Sequence, residues 1–375
     1  LRMRLEIDDG YLLSQLERLL RIPSPTGYTD SIVHHVAHEL EHLGVDVQLT
    51  RRGEIRSRLR GEQARPARAI VSHLDTLGAM VKRLKDNGRL ELVPIGHWSA
   101  RFAEGARCTL FSDERNFRGS ILPLKASGHT FNVEVDTLPV GWDFVELRVD
   151  ERADSREDLV RQGIQVGDIV AIDPQPEFLE NGYIVSRHLD DKAGVALMLA
   201  ALEALLRSGL RPPVDTYWMF TIAEEVGVGA ASILLPEIAS LVAIDNGTTA
   251  PGQNSREHGV TIAMGDETGP FDYHLTRKLI GLAQEHGIPF QRDVFRYYRS
   301  DLASALAAGN DIRTALLAFG IDASHGYERI TVGALSSVAA LIAAYVTSPV
   351  LIKRDVRPIG PPQDFTSQPE GPPPS

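Results

Sequence analysis

A change of texture in the middle of the chain constrains its fold more than any other feature. Over residues 78–182 the sequence consists of short alternating runs separated by turn signals such as Asp86-Asn87-Gly88 and Gly167-Asp168, with almost no helical periodicity before 154–162. On either side, helical and strand patterns alternate. Residues 11–22 carry Leu12, Leu13, Leu16, Leu19 and Leu20 at helical spacing and stop at Pro23-Ser24-Pro25-Thr26-Gly27. A second helix is expected over 30–43, strands over 45–49 and 54–59, and a buried strand over 67–72. Alternation resumes at Tyr183 and continues to about Val346. This pattern predicts an α/β host domain with a mostly parallel sheet, interrupted by a small barrel-like β-domain. The host then comprises 1–77 and 183–350, the insert 78–182, and the remainder, 351–375, a Pro-rich tail expected to be disordered.

Composition removes several function classes. A net charge of −11 argues against a general nucleic-acid surface, which needs clustered Lys and Arg, and favours capture of cations. The single cysteine, Cys108, rules out an intrachain disulfide and a thiolate zinc cluster, as suits a reducing compartment. Met3-Arg4-Leu5-Glu6-Ile7-Asp8-Asp9 leads into an amphipathic helix rather than the apolar core of a signal peptide. The most apolar runs, 195–206 and 334–346, are too short or interrupted to span a bilayer. The expectation is a cytoplasmic protein with neither membrane nor nucleic acid as partner.

The chemistry collects at the ends of expected strands. Ser186-Arg187-His188-Leu189-Asp190-Asp191-Lys192-Ala193-Gly194 places two adjacent carboxylates between a strand at 183–187 and an apolar helix at 195–206. Either acid can cap the helix, and either can share its two oxygens between two cations. His73-Leu74-Asp75 puts an imidazole and a carboxylate on one side of a strand end. Glu224-Glu225 follows the apolar strand 217–222, where one acid could bind a metal and the other hold a proton. Asp245 ends the apolar run 241–244, and His325 precedes the last long helix. Each has an ordinary reading as a cap, a turn or a structural histidine. Together, one His, one Asp, one Glu, one Asp and one His at successive strand ends match the donor demand of a two-zinc site with a shared carboxylate. Strand ends are also where open α/β sheets bind ligands. His34, His38 and His42 form a second, weaker ladder on the 30–43 helix, with no carboxylate or cysteine to complete it.

In this order, His-Leu-Asp, Leu-Asp-Asp-Lys-Ala-Gly-Val, Ala-Glu-Glu-Val-Gly, Ile-Asp-Asn-Gly and Ser-His-Gly-Tyr-Glu resemble the co-catalytic metallo-aminopeptidases of the glutamyl-aminopeptidase and tetrahedral (TET) type. The resemblance covers residues 12 to about 346, including Pro94-Ile95-Gly96-His97-Trp98 in the insert. It implies a zinc-exopeptidase-like fold and two divalent metals, zinc first, with cobalt or manganese as alternatives. Asp190 would bridge the two, His73 and Asp245 completing one site, Glu225 and His325 the other. Asp75 would orient His73, and Glu224 would be the general base. Peptides with a free N-terminus are the implied substrates, and dimer-based homo-oligomers, up to tetrahedral dodecamers, the implied assembly.

Two departures stand out. Thr76 follows Asp75 where the family has Glu, and Tyr298-Arg299-Ser300-Asp301 stands where the family has Gly-Gly-Thr-Asp. Asp301 keeps its place. Arg299 either reads an acidic or amide-bearing substrate or points outward to a surface acid. These departures resemble a branch associated with the osmoprotectant N-acetylglutaminylglutamine amide. A deacylase or carboxypeptidase on the same fold is the rival reaction, and a non-catalytic oligomeric scaffold the rival class. Presence of all five donors and Glu224 argues against the scaffold. Glycosidase chemistry would need two carboxylates flanking a sugar bond instead.

Overall fold

A computed structural model describes residues 5–350, 352–357 and 359–369. Its central strands follow from strict alternation. In Gln63–His73, Ile70 packs into one apolar cluster while Ala67, Ala69 and Val71 pack into another on the opposite face. Val214–Thr221 divides Trp218 and Phe220 from Tyr217 and Met219, and Ile238–Thr249 divides Val242 and Ile244 from Leu241 and Ala243. Successive side chains on a strand point to opposite faces, so a strand covered on both faces reads as a continuous apolar run.

The expected parallel arrangement holds at the centre. Val214–Thr221, Gln63–His73, Ile238–Thr249 and Arg313–Asp322 lie side by side in that order, all parallel. Antiparallel strands flank this parallel centre in the twelve-stranded sheet. Asp46–Leu49 and Ile55–Leu59 form one edge; Glu328–Thr331, Tyr183–Ser186 and Glu177–Phe178 form the other. Antiparallel neighbours can be joined by short turns, whereas parallel ones need a crossover of a dozen or more residues.

Helices Asp9–Arg21, Asp30–His42, Leu189–Ser208, Tyr273–Glu285 and Val332–Thr347 supply the larger cluster on one face. Asp8 caps the first of these, accepting from the Tyr11 N–H at 2.9 Å. Leu189–Ser208 is assigned as helix from Leu189, but Asp190 and Asp191 depart from helical dihedrals, and the peptide joining them is cis. Gly194 is required one turn later: a Cβ there would lie 2.2 Å from Asp191 Oδ1.

The insert closes into a barrel of six antiparallel strands, in the order Gly78–Leu84, Leu90–Ile95, Val145–Val149, Asn116–Pro123, Arg107–Phe111 and Ile169–Ile172. Closure removes free edges. Val81, Leu92, Leu110, Phe117, Ile121 and Leu147 fill its own core, and Cys108 is a buried free thiol there. Beyond the last helix, Lys353–Val356 forms a 3₁₀ turn whose Asp355 accepts from Arg313 at 2.6 Å. Residues 351, 358 and 370–375 of the stretch expected to be disordered lie outside the described residues. Among the described residues no helix is long and apolar enough to cross a membrane.

Candidate metal centre

The parallel strands bring together five side chains from distant parts of the chain. His73 ends the Gln63–His73 strand, Asp245 sits in Ile238–Thr249, Glu225 follows Val214–Thr221, and His325 follows Arg313–Asp322. Asp190 enters from the start of its helix and stands between them. His73, Asp190 and Asp245 form one group with donor atoms within 4.8 Å of one another, and Asp190, Glu225 and His325 form a second. Asp190 belongs to both. Its Oδ1 lies 3.2 Å from His73 Nε2 and its Oδ2 3.2 Å from His325 Nε2.

The imidazoles are aimed by backbone. His73 Nδ1–H donates to the Asp75 carbonyl at 2.9 Å, and His325 Nδ1–H donates to the His97 carbonyl at 2.8 Å. A carbonyl can only accept, so each ring keeps a proton on Nδ1 and turns Nε2 inward, the nitrogen that would bind a metal. His325 reaches this pose from a left-handed backbone (φ 63°), as does Ala323 (φ 57°). Its partner His97 belongs to the loop after the Leu90–Ile95 barrel strand, so the insert helps set the tautomer.

Asp75 does more than face a histidine. Its carboxylate oxygen is 3.5 Å from His73 Nδ1, but it accepts from the Glu224 and Glu225 N–H groups at 3.1 and 3.2 Å and from the Thr26 hydroxyl at 2.6 Å. It therefore holds the backbone that presents both glutamates. Glu224 Oε2 lies 3.7 Å from His73 Nε2, within reach of the space the two groups share. Thr76 is buried and turned away, its hydroxyl donating to the Leu77 carbonyl at 3.0 Å.

Further residues support the cluster that pattern reasoning did not assign. Asn246 donates from Nδ2 to Asp190 at 2.7 Å and to Asp245 at 3.2 Å, locking the two carboxylates together. Glu328 accepts from the Asp190 N–H at 3.2 Å and the His325 N–H at 2.9 Å. Asp191 accepts from the Ser72 hydroxyl and, at 3.2 Å, from the His73 N–H. Asn246 and Glu328 adjoin site residues within their motifs, and that adjacency was the available signal.

The electrostatics fit cations. Burial raises the carboxyls of Glu224 and Asp245 well above the usual range, and Glu225 and Glu328 each to about 8, with Asp190 adding to the last three. Burial would lower the His325 imidazole, but Glu225, Asp190 and Glu328 outweigh it and carry the ring up to about 10; His73 is likewise raised against its burial by Asp190 and Asp75. Glu225 Oε1 is buried with no hydrogen-bond partner among the described residues. Buried acids in excess, two inward Nε2 atoms and an orphaned carboxylate oxygen make a donor set that two divalent cations would satisfy.

Asp301 and Arg299 part company. Asp301 is buried, accepts from the Thr221 hydroxyl at 2.9 Å, and is pushed up by burial to about 7. The Arg299 side chain is 64% exposed and pairs with Glu267 at 3.6 Å. His34, His38 and His42 stay on an exposed helix face and join neither group. Gly229 guards Asp301: its φ is +32°, and a Cβ would lie 2.0 Å from Asp301 Oδ1. Gly229→Ala is expected to destabilise the fold by about 1–3 kcal/mol, read as a lower thermal midpoint, because Asp301 must give up its place.

The M42 glutamyl aminopeptidase family model matches residues 53–341. The putative aminopeptidase YhfE of Bacillus subtilis is 35% identical over 337 residues, covering 90% of this chain and 97% of its own. The aminopeptidase APDkam598 of Desulfurococcus kamchatkensis superposes with a TM-score of 0.81 at 24% identity, over 91% of this chain and 96% of that one. The Pyrococcus horikoshii TET1 peptidase gives 0.79 at 22% identity, over 90% and 100%. With a donor cluster for two metals at its strand ends and this match over most of its length, the chain belongs to the M42 glutamyl aminopeptidase family and is a metal-dependent aminopeptidase.

Proposed function

We propose that this site removes N-terminal residues from peptides, with Asp190 shared between two divalent cations. His73 and Asp245 complete one cation site, Glu225 and His325 the other. The observation that carries this reading is Asp190 itself, whose two oxygens each face a different imidazole Nε2 at 3.2 Å. Zinc suits the His and carboxylate donors, and cobalt or manganese can occupy similar sets. Two cations held there would polarise the scissile carbonyl and make a water more acidic. Glu224 accepts the proton of the attacking water and returns it to the leaving amine nitrogen. Asp75 keeps the glutamates in place through their N–H groups, and Asp301 lines the substrate side of the cluster.

The insert, taken as 78–182, serves assembly and substrate access in this proposal, within a dimer-based homo-oligomer. The TET1 peptidase of P. horikoshii assembles into a tetrahedron or an octahedral shell, which supports that reading by family likeness. A role in peptide-like osmolyte metabolism is a narrower reading, which rests only on the resemblance of Thr76 and the Tyr298-Arg299-Ser300-Asp301 segment to the osmoprotectant-associated branch.

A panel of aminoacyl-nitroanilides and their N-acetylated counterparts tests the reaction, using metal-stripped protein re-supplied with zinc, cobalt or manganese. The expected result is metal-dependent cleavage of the free-amine set alone. Cleavage of only the acylated set would move the assignment to a deacylase, and silence on both sets with metal still bound would point to a specialised small peptide. Arg299→Ala is expected to leave the ratio of kcat/KM for glutamyl and leucyl substrates within about 2-fold, since an exposed ion pair contributes little. A larger change would restore Arg299 to the pocket.

A further inference from the structure

Tyr298 has no part in the scheme above, yet its hydroxyl is enclosed by protein and has no hydrogen-bond partner among the described residues. Its backbone is anchored. The Tyr298 carbonyl accepts from the Glu267 N–H at 3.1 Å, and the Phe295 N–H donates to the Gly265 carbonyl at 3.1 Å. Three residues on, Asp301 is tied to Thr221 at the end of a central strand. The Tyr298 ring packs on Phe295 at 5.1 Å between centroids. Phe295 in turn lies against the strand bearing Asp245: a Cβ on Gly247 would be 3.6 Å from its ring. Through Phe295 the ring is seated beside the Ile238–Thr249 strand, at Gly247, two residues beyond Asp245. Burial raises the phenol well above its usual range, and the leading charges acting on it are Asp245, Asp190, Glu224 and Asp191. It stays a protonated donor at neutral pH.

A buried hydroxyl without an acceptor forfeits its bonds to water and gains none in return. Among the described residues no carboxylate accepts from this one. The acceptor it lacks is one that the reaction itself creates: the carbonyl oxygen of a peptide under attack gains negative charge, and a donor already in place stabilises that charge without reorganising. We propose that Tyr298 is a catalytic residue whose hydroxyl donates a hydrogen bond to the scissile carbonyl oxygen as it becomes an oxyanion. The proposal rests on the aminopeptidase reading of the site. It gives bulk at the position where the resembling family has glycine a task of its own, separate from Arg299 beside it.

The test is Tyr298→Phe in the full-length, metal-loaded protein, compared with wild type on a free-amine nitroanilide and with an aminoalkylphosphonate as a tetrahedral oxyanion mimic. The expected result is a kcat lower by roughly 10²-fold with KM within about 2-fold. The phosphonate inhibition constant should rise in step with the loss of kcat/KM. Metal content should be unchanged and the thermal midpoint equal or higher, because removing an unpaired hydroxyl costs the fold nothing. An unchanged kcat, or a change confined to KM, overturns the role. A phosphonate that binds both proteins equally also overturns it. An active wild type matched by the variant sinks this inference alone, whereas a wild type inactive on every substrate sinks the aminopeptidase reading with it.

Discussion

Asp190→Asn is expected to lower bound metal from the two ions proposed above to fewer than one per chain and to remove peptidase activity. Both oxygens of Asp190 are committed: Oδ1 faces His73 Nε2, and Oδ2 faces His325 Nε2 while accepting from Asn246 Nδ2 at 2.7 Å. An amide keeps the shape but loses the charge and turns one shared acceptor into a donor. If that nitrogen takes the Oδ2 place, it meets the Asn246 amide donor head-on. Loss of groups that merely support a metal ligand costs about 10–100-fold in metal affinity or activity, so loss of a donor common to both groups should exceed that range. The apo protein should lose some stability but still fold, because His325 and His73 hold the Asp190 carboxyl well below its usual range against its burial, and the amide gives up both charge pairs while easing the repulsion on Asp245, Glu225 and Glu328. Metal analysis by atomic emission, with thermal unfolding alongside, checks both parts. Retention of two ions would show that Asp190 is not shared.

Glu224→Gln should separate catalysis from metal binding. Glu224 appears in neither donor group, yet its carboxylate is within 3.7 Å of His73 Nε2 and its N–H is held by Asp75. The variant keeps the N–H and the side-chain volume and loses only the proton acceptor. The expected outcome is kcat lower by about 10²–10⁴-fold, the range for a positioned general base, with two ions still bound and KM little changed. Burial holds the Glu224 carboxyl well above its ordinary range, so the neutral amide should leave the apo protein equally stable or slightly more so. Wild-type kcat in this variant would remove Glu224 from the mechanism. Loss of metal would instead recast it as a ligand. Side by side, the two variants distinguish a residue that holds the cations from one that moves the proton.

Much of this arrangement was legible along the chain. The apolar runs that stop on His73, Asp245 and the Glu224-Glu225 pair announce buried strands with polar ends, because a strand covered on both faces tolerates polar side chains only where it emerges. The texture of the insert pointed to a barrel, and six strands close one. Other features were out of reach of pattern. The antiparallel edges of the large sheet are short and carry no periodicity that distinguishes their direction. The carboxylate of Asp75 faces His73 in the sequence, yet it bonds to backbone N–H groups 149 and 150 residues away. Tyr298 and Arg299 are neighbours of similar prominence in the sequence. The structure encloses one hydroxyl beside the cluster and leaves the other side chain paired with Glu267 in solvent.

From the sequence alone came the chemical inventory: which residues can bind a metal, that each terminates or follows a buried element, and that one carboxylate has the surroundings to be shared. Only the tertiary structure decided which oxygen meets which nitrogen, which proton each histidine keeps, and which members of a motif face inward. Periodicity is set by backbone geometry within a few residues and can be read locally. The approach of Asp190 to His73 and His325 depends on the register of parallel strands joined by long crossovers, and that register emerges only when the whole sheet packs.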